Sequence, residues 1–541
     1  MQTKTPPRFL REATGLVKEA SAFDIFQFNT VSVCGVQMVP PWILLVPFIG
    51  APLGPTFLLA TIGAVSIGAL YYILSVSMPR SGGDYVFGSR LLHPMAGILA
   101  GTMSGVLLGI VNGAWGATTW VPVGLSPLFT YLGAVWNNQS LMTLANTVTT
   151  PLLYGILAVI VTVGFAALLI VGGMRRYFAV QNVLCVTSII VQFVIIGVLA
   201  FTDRNTFTQA LNSFLTTFSL GHDQIISTAT KLGWATPAAV SVALAFQAGP
   251  AVYGSMFWVE FSTSLGGEIK QVRRSQLIGI VGCLLFWTVL TFVTFFLMVN
   301  MVGYEFISAH DYLILQAPQG LGSLPAVPPY LLYVMVAGRN PFLAILVAIG
   351  LIAGTIPTVS WALILFSRSL FAMSFDRVLP SFLGDVSDRF HTPVKTLVLG
   401  AVVMLVWVVA SILPQAASFA SYFGVAQGFT LVVTFVVVGL GAMLFPFLKK
   451  DVYETVCPKI FRRNILGIPL ISLLGFIIFV YNVQDWYFLM SFPQFYGITP
   501  QFLGALVGAA AFAVAAYAIA KNYRKKQGLD ISYLFQTLPP E

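Results

Sequence analysis

Apolar residues run along this chain in stretches that end at charges or at Gly and Pro clusters. They lie near 22–50, 53–77, 94–125, 148–172, 177–202, 236–265, 277–303, 340–372, 394–414, 417–447, 465–483 and 500–520. A hydrocarbon core of about 30 Å is crossed by about 20 apolar helical residues. The pattern therefore predicts an all-α polytopic membrane protein of about twelve transmembrane helices. Two stretches are interrupted. The first, Ala22 to Gly50, carries Cys34-Gly35 and then Pro40-Pro41, and the sixth carries Gly249-Pro250, Gly254 and the charge of Glu260. Proline has no amide hydrogen and clashes with the preceding turn, while glycine tolerates angles a helix does not use. Backbone groups freed at membrane depth must face protein, water or a ligand. Two readings of the first break stand side by side: unwound backbone that lines a binding site, or a proline kink whose neighbours satisfy the freed groups.

Broken spans in corresponding places are the sequence mark of a site built between inverted repeats. The expected division is a cytoplasmic tail at 1–21, a first five-helix repeat at 22–202 and an extracellular loop at 203–235. A second repeat at 236–447, two peripheral helices at 448–521 and a tail at 522–541 complete it. Within the loop, the stretch from His222 to Leu232 reads as a short surface helix.

Composition agrees with the pattern. Of 541 residues, 57% are hydrophobic and 8% charged, against about a quarter charged in soluble proteins. With twelve spans, all but Arg204, Lys231 and Arg339 of the 27 Lys and Arg fall in the two tails and the even-numbered loops. The positive-inside rule then places both termini in the cytoplasm of a multi-pass protein of the cell membrane. Orientation also accounts for the net charge of +9, and no nucleic-acid partner is implied. The polar N-terminal tail does not read as a cleaved signal peptide. Cys34, Cys185, Cys283 and Cys457 show no paired spacing, so neither a disulfide framework, a metal site nor a cofactor is expected. Asn138-Gln139-Ser140 is a glycosylation triplet in a distal loop.

Candidate chemistry is sparse. Gly97, Gly101, Gly105, Gly109, Gly113 and Gly116 in the third span make a face of small residues for helix packing. Thr355, Thr358 and Ser360 in the eighth either coordinate a cation beside the first helix or bond back to their own helix. Glu260 is the only acid that these spans place away from their ends. Intramembrane acids are costly enough to be functional by default, and burial opposes their charge; the alternative is a carboxyl tied to backbone in a fixed state. Asp84, in Gly82-Gly83-Asp84, has no second intramembrane Asp to share a proton, which argues against an aspartyl protease. No His-Glu-x-x-His, Gly-x-Ser-x-Gly or Gly-x-x-x-x-Gly-Lys-Ser/Thr motif is present, so neither an enzyme nor an ATP-driven pump is expected.

Three stretches together resemble the amino acid, polyamine and organocation (APC) superfamily of permeases. They are Pro79-Arg80-Ser81-Gly82-Gly83-Asp84-Tyr85 after the second span, Glu260 eight residues before Glu268-Ile269-Lys270, and Ser367 to Pro380 followed by Thr392-Pro393. The resemblance implies ten core helices in two inverted repeats, with helices 1 and 6 broken, two peripheral helices, and alternating access to a central site. Its implied substrate is an amino acid or related amine, carried by symport with H+ or Na+ or by exchange; a transporter-like nutrient receptor is the alternative. In that family Gly-Ser-Gly precedes the proline of the first helix, and its amides bind the substrate carboxylate. Here Val33-Cys34-Gly35 fall in that place, followed by Val36 and Gln37, so only the last glycine is kept. In the sixth helix Trp258-Val259-Glu260 replace Gly-Phe-Glu, and the unwound stretch is expected anywhere from Gly249 to Trp258. Gly249, Pro250, Tyr253, Phe257 and Trp258 are the further candidates for substrate contact. Some proton-coupled relatives place a Lys in the fifth span, and Tyr177 to Phe201 contains none. Coupling then falls to a proton on Glu260, to sodium held by the hydroxyls of the eighth span, or to no ion.

Overall fold

In an apolar surrounding every backbone N–H and C=O needs a partner within the protein, and a helix meets that demand segment by segment. This chain is helical nearly throughout. The computed structural model describes residues 16–33, 45–235, 241–254, 256, 258–322, 324, 329–387, 389–491 and 500–536. In chain order the helices are α1 (Ala22–Val33), α2 (Leu45–Ile49), α3 (Leu53–Ser77), α4 (Asp84–Leu91), α5 (Pro94–Val135), α6 (Pro151–Ala167) and α7 (Gly173–Phe201). There follow α8 (Val242–Tyr253), α9 (Val272–Val302), α10 (Tyr304–Gln316), α11 (Pro329–Gly338), α12 (Pro341–Thr355) and α13 (Thr358–Phe375). The series closes with α14 (Val394–Ile412), α15 (Pro414–Leu448), α16 (Leu470–Ser491) and α17 (Pro500–Lys526).

Nine helical stretches among the described residues are long and apolar enough to cross a membrane. One of them, Pro151–Phe201, holds two of the predicted spans, α6 and α7, which meet at Gly173 with φ of +70°. That accounts for ten of the twelve spans, and the other two are the interrupted first and sixth. Below, the face on which the chain enters α1 is the proximal face and the opposite one the distal face. The distal loop does fold into a helix at His222–Lys231, after another at Arg204–Leu215.

Two helices run past their predicted ends. α5 continues about three turns beyond 125, because a wide turn at Val121–Leu125 absorbs Pro122 without stopping the helix. α16 begins later and ends later than 465–483: the strands β1 (Asn464–Ile465) and β2 (Ile468–Pro469) pair around Leu466-Gly467, and the helix passes Asp485 to reach Ser491. A carboxylate inside the last turns of this helix was not expected there. α16 also does more than flank the core, since it packs against α3 and α8 as well as α15.

The glycine face of α5 fits α13. A Cβ on Gly105 would lie 1.7 Å from Ser369 Oγ, one on Gly109 3.0 Å from the Ala362 carbonyl, and one on Gly116 2.7 Å from Thr358 Cβ. These distances mean the two helices touch through backbone. Gly105→Val is therefore expected to destabilise the fold by about 1–3 kcal/mol through overpacking. Gly164→Val, at a position with nothing within 4 Å, should leave the thermal unfolding midpoint of detergent-purified protein unchanged, and equal midpoints for the two variants would contradict the close approach.

Candidate functional site

The described end of α1 meets the unwound stretch of the sixth span. α1 ends at Val33, and Ser32 Oγ donates to the carbonyls of Asn29 and of Trp258. One turn earlier, Asn29 Nδ2 donates to Ser262 Oγ (3.0 Å) and to the Gly279 carbonyl (2.8 Å), while the Ser262 amide donates to Asn29 Oδ1 (3.0 Å). Gln276 holds Ser262 from the other side, its Oε1 accepting from Ser262 Oγ at 2.7 Å. Trp287 Nε1 donates to Thr30 Oγ1 at 3.1 Å. Buried amide and hydroxyl groups thus replace the helix ladder that the break removes.

In the sixth span α8 passes through Pro250 and ends at Tyr253; the backbone leaves the helix from Gly254, and single turns at Phe261–Ser264 and Gly266–Glu268 follow. The unwound stretch therefore begins beyond Gly249-Pro250, at the inner end of the expected range. Trp258 is buried there with Nε1 donating to the Gly254 carbonyl, and its ring centroid lies 6.0 Å from that of Phe261. Glu260 follows, wholly buried, with neither carboxylate oxygen hydrogen-bonded to a side chain. Asp84 and Tyr71 are near enough to act on it electrostatically, and Tyr71 OH donates to Asp84 Oδ1 at 2.5 Å. Asp84 reaches this place because Gly83, at φ of +47°, lies against Thr263 and Ser264; a Cβ there would be 3.0 Å from Thr263 Oγ1.

The sequence candidates divide into three groups. Val33, Trp258 and Glu260 lie at the paired breaks. Gly249, Pro250 and Tyr253 face α16 instead: the first two line a small cavity with Tyr481 and Asp485, and Tyr253 OH donates to Asn482 Oδ1 at 3.1 Å. Thr355, Thr358 and Ser360 sit where α12 gives way to α13 at Pro357. Thr355 Oγ1 donates to the Leu351 carbonyl (2.7 Å) and Ser360 Oγ to that of Pro357 (2.8 Å), and the Tyr177 hydroxyl reaches Ser360. Cys34, Gly35, Val36, Gln37 and Phe257 lie outside the described residues. A larger cavity of about 490 Å³, lined by Tyr131, Gln209, Phe214 and Arg339, opens on the distal face away from the breaks. Its size is that of a small-molecule site, but it holds no unpaired buried acid, and the chemistry points to the breaks.

Beneath the breaks the three sequence motifs interlock. Arg368 donates from Nε to Glu268 Oε1 (2.7 Å) and from Nη2 to Oε2 (2.9 Å), with Ser367 and Thr392 hydroxyls at 3.4 Å from Nη1. Arg90 Nη1 meets Asp376 Oδ2 at 2.6 Å, Tyr85 OH donates to the same oxygen at 2.9 Å, and Arg80 lies 4.0 Å from Oδ1. Backbone adds to this. The amides of Glu19 and Ala20 donate to the Glu268 carbonyl and the Lys270 amide to that of Ala20, while the Gly82 amide donates to the Ser264 carbonyl. All four partners of these two ion pairs are buried. Just beyond them the Lys449 ammonium, 2.8 Å from the Arg90 carbonyl, has its pKa lowered first by burial and then by the Arg90 charge.

Sequence reading named these motif residues without seeing that they touch. It missed Asp485 because the helix was ended too early, and it missed that Asp84 comes within electrostatic range of Glu260. The Gly82-Gly83 pair was the available signal for the latter, since two glycines before an acid permit such a close approach.

A family model described as "Amino acid permease" matches residues 25–516. The chain is similar to the crystal structure of MhsT in complex with L-phenylalanine, with 12% identity, a TM-score of 0.51, and coverage of 87% of this chain and 99% of that one. At that identity the likeness shows a shared fold. No curated protein matches the chain.

Removing one member of the Arg368–Glu268 pair strands a buried charge, at about 3–5 kcal/mol, whereas replacing both by apolar residues is often near neutral. Arg368→Met and Glu268→Met should each lower the unfolding midpoint, and the double variant should recover most of the loss. Additive losses would mean that the two side chains do not act as a pair.

Proposed function

The chain belongs to the amino acid permease family, and from that premise we propose that it is a secondary active transporter, carrying amino acids or related amines across the cytoplasmic membrane with both termini in the cytoplasm. The proximal face is then the cytoplasmic one, and the interlocked motifs are the closed inner gate. Substrate binds between the broken ends of the first and sixth spans. Half-helix ends supply partly positive amides for a carboxylate and carbonyls for an ammonium. Val33 and Cys34 in place of small residues narrow that approach, which favours a substrate whose carboxylate sits further from the first helix than in relatives that keep three small residues.

Coupling is assigned to the proton. The observation that carries it is Glu260, fully buried at the break, with no side chain bonded to either carboxylate oxygen, only the nearby amides of Val259 and Glu260 itself, and with a second buried carboxyl, Asp84, within electrostatic range. Two carboxylates held together away from water do not both stay charged, so one proton is kept at the pair and released when the gate opens to water. The hydroxyls of Thr355 and Ser360 donate to carbonyls of the same helical stretch, which leaves their oxygen lone pairs open to a cation, so a sodium site there is the rival reading that the sodium-free measurement decides.

Reconstituted protein should accumulate labelled amino acid under an imposed inward proton gradient without sodium, and Glu260→Gln should abolish that accumulation. If the variant accumulates substrate with the wild-type pH dependence, Glu260 is not the coupling site. If wild-type uptake requires sodium, the proton assignment fails as a whole.

A further inference from the structure

A second buried acid stands on the other side of the sixth-span break. Asp485 lies within α16, is 3% exposed, and its Oδ1 has no hydrogen-bond partner. It lines a cavity with Leu59 of α3, with Ala245, Phe246, Gly249 and Pro250 of α8, and with Tyr481 and Gln484 of its own helix. About 10 Å³ is open to the centre of a water-sized probe, which is room for roughly one water. Pro250 has no N–H to give the carbonyl of Phe246, four residues earlier, and both residues line the cavity. Tyr481, Gln484 and Asp485 are the polar side chains that line this space.

The groups around it are few. α8 presents Tyr253, whose ring centroid lies 4.7 Å from that of Tyr481 and whose hydroxyl donates to Asn482. Both tyrosines feel the charge of Asp485, and Tyr253 also feels that of Glu260. α3 presents Gly63, where a Cβ would sit 3.0 Å from each tyrosine, and, further toward the proximal face, Tyr71. α15, which packs along α16, carries no Asp, Glu, Lys, Arg or His. No base therefore offsets Asp485 from any helix packed on it among the described residues.

We propose that Asp485 is a proton-binding site, the distal partner of Glu260 and Asp84 in a line of carboxyl and phenol groups along the interface of α3, α8 and α16. A proton entering from the distal side forms an O–H bond on Asp485. That O–H bond breaks as the proton passes, through water, to the Glu260 carboxylate, where a new O–H bond forms, so one proton moves and no other reactant is consumed. The cavity offers a carboxylate, a carbonyl and the Gln484 amide, too few oxygens to strip a metal cation of its water, whereas one proton or a water that carries it fits. On this account α16, which lies outside the two repeats, belongs to the coupling machinery. The inference rests on the proton-coupled reading above and deepens it.

The test has two readouts. Infrared pH titration of purified protein in lipid, by the carboxylic-acid C=O stretch, should show a band that is lost in Asp485→Asn, displaced in Asp485→Glu and insensitive to sodium. In proteoliposomes given a labelled mixture of the common L-amino acids and an inward proton gradient, Asp485→Asn should lose accumulation and Asp485→Glu should recover it. An infrared titration identical in wild type and Asp485→Asn overturns the proposal, as does a band moved by sodium at fixed pH. Failure of the wild type to accumulate any of the mixture would overturn the transport reading, while the infrared result still decides the proton site. If Asp485→Asn does not fold, the displacement of the band in Asp485→Glu decides it.

Discussion

A guanidinium and a carboxylate held out of water organise this molecule. Arg368 and Glu268 meet through two hydrogen bonds at the proximal end of the broken sixth span, and each would be too costly to bury alone. Their pairing fixes α13 against the segment after Glu260. The carbonyl of the same Glu268 receives the amides of Glu19 and Ala20, so the entrance to α1 is bound to the same point. The Gly82-Gly83 turn closes over Ser264, and Asp376 gathers Arg90, Tyr85 and Arg80 on the far side. The breaks above therefore open onto a floor of paired charge rather than onto water.

That floor explains why the buried acids above it matter. Glu260 and Asp84 stand within a few turns of four basic or acidic residues that are all matched to one another, and neither takes a share of the matching. Asp485 repeats the situation on the distal side. Carboxyls without a basic partner are the costly exception in a membrane interior; Glu260 and Asp485 keep oxygens without a hydrogen bond, while Asp84 accepts one from the Tyr71 hydroxyl. The neighbouring face, where α5 meets α13 through glycine and backbone, has no such exception and reads as fixed packing.

Much of the fold was legible in the sequence. Span length gave helices whose order matches the structure, because a bilayer leaves a chain few alternatives, although α8 runs through Pro250 and Pro40-Pro41 lie outside the described residues. The family is likewise the one that the three motifs resemble. Helix ends were less legible: Pro122 stops a helix in water but is absorbed here by a wide turn, and an acid such as Asp485 looks like a boundary until its burial is known. The site was legible only in part. Trp258 and Glu260 lie at the break, but Tyr253 and Gly249-Pro250 turn toward α16, since a one-dimensional pattern does not say which face of a broken helix looks inward. The pairing of Arg368 with Glu268, one hundred residues apart, had no local signal at all.

If the proximal network is the gate of the proposed transporter, it must form and break as substrate crosses. Spin labels at exposed Lys270 and Arg389, on either side of the Arg368–Glu268 pair, report its opening as a distance. Pulsed dipolar spectroscopy on protein in lipid nanodiscs should find two separations, with the longer gaining population in Glu268→Gln and on addition of transported amino acids. A single separation, the same in both proteins with and without those amino acids, would show that the network is a fixed floor and would contradict the account.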